Sequence, residues 1–317
     1  MGPLGVCGGA MSLEKFLENL DDPAVSLGNS DFIEISDLSP AELGVFARAW
    51  FHLSRDRKRA IIATMVELAE DSPELDFCTI FKMCLKDDDE WVLEKAIDGL
   101  WEYEDRSVLP GLLQVLKSDR GAEVRAAAAS ALGKFSLLAQ EGNLLARDAA
   151  DIQSSLMAAL QDPDESLEVR RRSLEAVAPF NTPDIRDYVC WAYQSEDLRL
   201  KSSAIFAMGR TGEVSWLPML LNELDSDEPS LRYETANACG DLGEEDFVPH
   251  LLGLLEDDDY QVQIAGLNAL GKIGGPLAKR ALLRCIKDGD ASLEEAARNA
   301  LENVEFLVDP MAFAADA

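Results

Sequence analysis

The groups in this sequence able to do acid–base, covalent or metal chemistry are two histidines, six cysteines and a large surplus of carboxylates. Their spacing argues against each chemistry in turn. His52 and His250 are each followed by leucine, and neither belongs to an HExxH or comparable ligand pair. The cysteines, at 7, 78, 84, 190, 239 and 285, form no CxxC pair and have no histidine at matched spacing. Cys239 and Cys285 lie among apolar residues, so these thiols are read as reduced core or near-core groups of a cytosolic protein. Asp87-Asp88-Asp89 and Asp257-Asp258-Asp259 offer the hard oxygen ligands that calcium or magnesium takes. Both runs lack a glycine-centred loop and a closing glutamate, and they are read as solvated turns. Nothing forms a phosphate loop, a dinucleotide-binding glycine turn or a Ser-His-Asp set. No metal and no cofactor is expected.

What remains is a surface. From Leu200 to Leu301 the chain repeats every 31 residues, with Leu200, Leu231, Val262 and Leu293 opening matched segments: LKSSAIFAMGR, LRYETANACGD, VQIAGLNALGK and LEEAARNALEN. Each has a small residue at position four, alanine at seven and an apolar residue at eight, which is one buried helical face. The frame extends upstream to Val169, Val124 and Val92. Positions two, six and ten then project away from that face. The stripe they form reads Arg171, Glu175, Pro179; Ser202, Phe206, Arg210; Tyr233, Asn237, Asp241; Ile264, Asn268, Lys272; Glu295, Asn299, Asn303. Asparagine recurs at position six, while Phe206, Tyr233 and Ile264 are apolar where a merely solvated face would carry charge. An extended peptide or a partner helix would use such a groove. The alternative is that Phe206 and Ile264 pack on the neighbouring repeat and the asparagines stiffen the array. The cations at position one (Arg125, Arg170, Lys201, Arg232) are expected to pair with turn acids of adjacent repeats.

The elements that carry this stripe are legible from local signals. Ser39-Pro40-Ala41-Glu42 is a capping box with proline at the first helical position, so a helix starts at Ser39 and turns Leu43, Phe46, Ala47, Trp50 and Phe51 inward. A second helix runs from about 56 to 70, burying Ile61, Ile62, Met65, Val66 and Leu68. Beyond Leu75 each unit has a short first helix entering on proline (Pro110, Pro218, Pro249), an acidic turn, and the anchored second helix. Between Val124 and Val169 the spacing grows to 45, placing an insert at about 134–149 that is helical in composition. The expected organisation is a weakly ordered lead-in over 1–38, a helical cap over 39–74, repeats over 75–307 and a tail over 308–317. Residues 1–10 lack the basic start and apolar centre of a signal peptide, so Met11 is taken as the natural start or the first ten residues as a lead-in.

Charge narrows the partner. With 29 Lys and Arg against 59 Asp and Glu the formal net charge is −30. A field of that sign repels phosphate backbones and anionic lipid, so neither nucleic acid nor membrane is expected as partner. No apolar run approaches the roughly 18 residues needed to span a bilayer. A basic protein surface or a cationic extended peptide fits better.

The Pro-x-Leu-Leu-x-x-Leu start, the Asp turn and a second helix such as Val124-Arg125-Ala126-Ala127-Ala128-Ala129-Ser130-Ala131-Leu132-Gly133 resemble the HEAT-repeat family, in the short form named after phycobilisome lyases. The resemblance covers about 75–306. It implies an all-α fold, a right-handed α-solenoid of about seven two-helix repeats, with the second helices lining its concave side, in a bacterial cytoplasm. Deoxyhypusine hydroxylases, which look like HEAT arrays, carry His-Glu pairs on several repeats; here leucine follows both histidines, so that di-iron site is not expected. No separate motif would bind the bilins handled by the lyases. The expected activity is a non-catalytic scaffold binding a protein through Arg171, Arg172, Phe206, Arg210, Tyr233, Asn237, Ile264, Asn268 and Lys272. The alternatives are a lyase or chaperone-like accessory of a pigment or cofactor protein, and a structural array without a ligand.

Overall fold

In the computed structural model the described residues are 9–20, 25, 27–288 and 291–308, and among them every regular element is helical. The chain divides into two compact units, 1–135 and 136–317. Unit one holds α1 (Gly9–Leu20), α2 (Asn29–Ile33), α3 (Pro40–Trp50), α4 (Arg55–Asp71), α5 (Cys78–Cys84), α6 (Glu90–Asp98), α7 (Leu109–Leu116) and the first part of α8 (Ala122–Gln140).

The local signals are realised in α3 and α4. Ser39 caps α3, its Oγ accepting from the Glu42 N–H while the Glu42 carboxylate accepts from the Ser39 N–H at 3.0 Å. Phe46 and Trp50 are fully buried, stacked with ring centroids 5.7 Å apart. Phe51 differs from expectation: it is exposed, in the turn after α3, with the Lys58 amine 5.5 Å from its ring. In α4 all five expected residues, Ile61, Ile62, Met65, Val66 and Leu68, are buried. The stretch expected as a weakly ordered lead-in contains α1, whose Leu13, Phe16 and Leu20 are buried, and α2 with buried Phe32. Phe16 packs edge-on to Phe32 at 5.9 Å, and Arg57 of α4 donates to the carbonyls of Leu20 and Asn19. These long-range contacts, absent from any local pattern, order it. Residues 1–8 of the lead-in, and the tail beyond Val308, lie outside the described residues.

The Asp87–Asp89 turn corrects the reading of a solvated run. Asp87 is 1% exposed and Asp89 6%. Asp87 accepts from the Trp50 indole N–H at 2.8 Å and pairs with the Lys58 amine at 2.8 Å. Asp89 pairs with Arg55 at 2.9 Å and with Arg59 at 3.0 Å while capping the first N–H groups of α6. Burial alone would raise the Asp89 carboxyl, but the Arg59 hydrogen bond and the N–H groups of Val92 and Trp91 outweigh it and hold it below the usual carboxylate range. Further along, Lys134 of α8 donates to the carbonyls of Leu100 (3.0 Å), Trp101 (2.7 Å) and Tyr103 (2.6 Å), closing the turn that follows α6. Burial lowers its amine from the ordinary lysine value. Lys134→Met leaves those carbonyls without their donor. It is expected to cost about 2 kcal/mol in urea denaturation, hydrogen bonds to charged groups being worth about 1.5–3.

Unit two holds the remainder of α8, then α9 (Ala146–Gln161), α10 (Leu167–Val177), α11 (Pro183–Tyr193), α12 (Leu198–Arg210), α13 (Leu217–Glu223), α14 (Pro229–Leu242), α15 (Val248–Leu251), α16 (Tyr260–Ile273), α17 (Gly275–Asp288) and α18 (Ala291–Val308). The 134–149 insert is used as the end of α8, a glycine turn at Gly142 with φ +78, and the start of α9. The anchors Val169, Leu200, Leu231, Val262 and Leu293 are all buried. The second helices pack in order, α12 on α10, α14 on α12, α16 on α14 and α18 on α16. That is the stacking of an α-solenoid.

A recurring close contact sets the spacing. A Cβ added at Gly209 would meet Ala238 Cα at 2.8 Å; at Gly240, Ala269 Cα at 3.0 Å; at Gly271, Ala300 Cα at 2.9 Å. Glycine at position nine of one second helix therefore lies against alanine at position seven of the next, and backbone touches backbone. In the segment opened by Leu293 position nine is Glu302, which is exposed.

Candidate functional site

The acidic turns of unit two supply caps and ion pairs rather than ligands. Asp259 caps α16, and Asp197 caps α12, whereas Ser166 does this for α10. Arg232, one of the position-one cations, makes a bidentate pair with Asp257, both distances 2.7 Å, and so joins α14 to the turn of the next unit. Lys201 pairs with buried Glu223 at 2.8 Å, and the Tyr193 hydroxyl donates to the same carboxylate at 2.7 Å. Among the described residues no group of three or more His, Cys, Asp or Glu is arranged to hold a metal ion. Burial pushes the thiols of Cys78 and Cys239 up to about 12 and raises those of Cys84 and Cys285, the opposite of an activated nucleophile.

The stripe of positions two, six and ten separates into two parts. In the first part the charges are spoken for. Arg171 donates to the Arg199 carbonyl and the Ser203 hydroxyl, both at 3.0 Å, and pairs with Glu168 at 2.6 Å. Arg172 lies between Glu168 (3.0 Å) and Glu175 (2.9 Å), and the Ser203 hydroxyl donates to Glu175 at 2.6 Å. Arg171 locks α10 to α12, whereas Arg172 is braced within α10 by Glu168 and Glu175. Further on, Asp241 is shared by Arg210 at 3.5 Å and Lys272 at 2.7 Å, which ties together α12, α14 and α16 at position ten. The Arg210 guanidinium lies 5.1 Å from the Phe206 ring.

In the second part the groups are open. Tyr233 is 38% exposed, and neither its hydroxyl nor the side-chain amides of Asn237, Asn268 and Asn299 make a hydrogen bond among the described residues. The asparagines therefore do not brace one another. Phe206 and Ile264 are partly exposed on the neighbouring helices.

One residue of the face was not among those expected from the sequence. Glu234 stands at position three of its segment, where the flanking helices have Ser203 and Ala265, both buried. It is itself partly buried, and it makes no hydrogen bond or ion pair among the described residues. Desolvation, reinforced by Glu175 and Asp241 and opposed by Arg172 and Arg210, pushes its carboxyl up to about 7. The signal in the sequence was the glutamate itself, at a position that is small in the two neighbouring segments.

No helix among the described residues is long and apolar enough to cross a membrane. A profile of HEAT repeats matches residues 79–151 and 217–302. No curated protein matches the sequence. Among solved structures, human deoxyhypusine hydroxylase in complex with glycerol is 20% identical over 93% of this chain and 96% of its own, with a TM-score of 0.36. The complex of CpcE and CpcF of phycocyanin lyase from Nostoc is 18% identical, covers 72% and 94%, and has a TM-score of 0.47. A Kap95p structure with RanGDP is 15% identical over 93% of this chain and 40% of that one, at a TM-score of 0.42. Likenesses this distant carry nothing about activity. The two matched regions make up half of the chain and include the α14 and α16 segments whose glycines and alanines interlock, and on that ground the chain belongs to the HEAT-repeat family.

Proposed function

We propose that this chain is a non-catalytic scaffold that binds a protein partner on the exposed face of its second helices, in the cytoplasm. The observation that carries the reading is the row of unpaired amides, Asn237, Asn268 and Asn299, on three successive helices beside the apolar groups of Phe206, Tyr233 and Ile264. Each open amide has a donor and an acceptor to offer a polypeptide, and the apolar groups lose water when covered. Arg210 and Lys272 at the rim orient the partner, while Arg171 holds α10 against α12 and Arg172 is braced within α10. The net charge of −30 favours a partner with a basic surface or an extended basic peptide.

The test is an array of basic peptides bound to purified protein, wild type against a Phe206→Glu, Tyr233→Ala, Asn237→Ala variant whose helicity is unchanged by circular dichroism. Loss of at least tenfold in affinity for the selected peptides is expected, since truncating central contacts costs about 2 kcal/mol or more. Equal affinity in both proteins would remove this face as the binding surface.

A further inference from the structure

The first helices of the units carry little positive charge. Helices α5, α9 and α11 have one Lys or Arg each, and α7, α13 and α15 have none. The exception is α17, with Lys279, Arg280, Arg284 and Lys287 and a single acid, Asp288, at its last position. Lys279 is taken, pairing with Glu305 of α18 at 2.9 Å. The other three cations are not. Arg280, Arg284 and Lys287 are exposed, and none of them makes a hydrogen bond or ion pair among the described residues.

Helical spacing puts these three in one row. Ala278 and Leu282, both with no exposed surface, mark the side of α17 that packs against α15, α16 and α18. Arg280, Arg284 and Lys287 lie along the other side over about 10 Å, at roughly 1.5 Å of rise per residue. Leu283, 47% exposed, stands among them. Like charges one turn apart repel along a helix. Here no described carboxylate is bonded to them, although the chain has 59 Asp and Glu to 29 Lys and Arg.

The row is also an island. At the start of α17 the Glu245 carboxylate would lie 3.3 Å from a Cβ on Gly275, and beside the row stands Glu305, which holds Lys279. A nucleic-acid strand or a bilayer spreads negative charge well beyond the row and would press on these acids too. A short anionic segment would not, because at about 0.15 M salt charges are screened over about 8 Å and the three cations act on it more strongly than the rest of the chain. Arginine pairs a carboxylate through two N–H groups, and a leucine among the cations loses water when an apolar side chain covers it. We propose that the exposed side of α17 is a second docking surface, which takes a short acidic segment of a protein partner, its carboxylates on Arg280, Arg284 and Lys287 and an apolar side chain on Leu283.

The probe is a fluorescein-labelled octapeptide, Glu-Asp-Glu-Leu-Leu-Glu-Asp-Glu, titrated into the full chain by fluorescence anisotropy at 0.05 and 0.15 M salt. Saturable binding is expected, several-fold weaker at the higher salt and at least tenfold weaker in an Arg280→Glu, Arg284→Glu, Lys287→Glu variant. Leu283→Asn leaves every charge in place and is also expected to weaken binding several-fold. The exchanged groups are exposed, so circular dichroism should be unchanged; Arg280→Gln, a single neutral exchange, is expected to give a smaller loss of the same sign. The Phe206→Glu, Tyr233→Ala, Asn237→Ala variant is expected to bind this peptide as the wild type does. Equal affinity in the wild type and the α17 variants overturns the proposal and leaves the second-helix reading untouched. Tighter binding of a thymidine oligonucleotide, or of vesicles of phosphatidylserine and phosphatidylcholine, overturns it in favour of a polyanion or a membrane. A dimer seen by light scattering and abolished by the α17 charge reversals also overturns it, since the occupant is then a second copy of the chain.

Discussion

Valine in place of Gly209 is expected to destabilise unit two by about 3 kcal/mol, with the break opening first between α12 and α14. The branched side chain would have to enter where even a Cβ lies 2.8 Å from the Ala238 Cα and 3.1 Å from its Cβ. The obstacle is backbone of a packed helix, which cannot rotate away, so the helices must separate or tilt. Repeat arrays lose stability interface by interface, so amide exchange should accelerate in α12 and α14 before it does in α17 and α18. A control with the opposite sign is available in α3. Gly44 has nothing within 4 Å of its would-be Cβ, and Gly44→Ala is expected to stabilise by about 0.5–1 kcal/mol from helix propensity alone. If Gly209→Val melts with the wild type and exchanges uniformly, the glycine seam does not set the stacking.

Asp87→Ala is expected to cost unit one about 3–5 kcal/mol, the range for removing one member of a buried pair. The loss is large because three donors are stranded together: the indole N–H of Trp50, a residue with no exposed surface, the Lys58 amine, whose side chain is 11% exposed, and the backbone N–H of Asp89. Urea denaturation followed by tryptophan fluorescence measures it. Asp87→Asn keeps an acceptor for the indole and should lose less. A loss under about 1 kcal/mol in the alanine variant would mean that the pair behaves as an ordinary exposed ion pair. Asp89 adds a pH dependence of known direction. Its carboxyl is held below the usual range, so its contribution is complete above the unfolded value and is lost as pH falls through the lower folded one. Acid unfolding of unit one is therefore expected below about pH 4, and Asp89→Asn should flatten it.

The contrast between these two aspartates and the elements around them shows what a linear reading could reach. The capping box of Ser39 and the apolar face of α4 are written within a few residues of each other, and both form as read. The anchors of the second helices from Val92 to Leu293 are buried, and from Val169 onward a 31-residue period carries the same face forward. Asp87 looked like any turn acid, since what buries it is Trp50, 37 positions upstream, and Lys58, 29 positions upstream. The helix α1 was missed for the same reason: its order comes from Phe32 and Arg57. On the second-helix face the pairs of Arg172 with Glu168 and Glu175 lie at local helical spacing, but the hold on Arg171 was not legible, because it depends on Ser203 and the Arg199 carbonyl in the next helix. Glu234 escaped because the open stripe was drawn through positions two, six and ten, and position three lies outside it.

The glycine–alanine joint also bears on how such a chain can change length. Every unit from Leu231 onward brings an alanine at position seven for the helix before it, and those opened by Leu200, Leu231 and Val262 bring a glycine at position nine for the helix after it. An inner unit, whether opened by Leu231 or by Val262, therefore contains both halves of the joint. Duplicating it in the gene would add a storey without requiring a second, compensating mutation, and deleting it would let its neighbours meet on equal terms. The unit opened by Leu293 is different, since Glu302 occupies the place of the glycine. Copied inward it would thrust a carboxylate into the backbone of the next helix, so growth by duplication is open to the inner units and closed to that one.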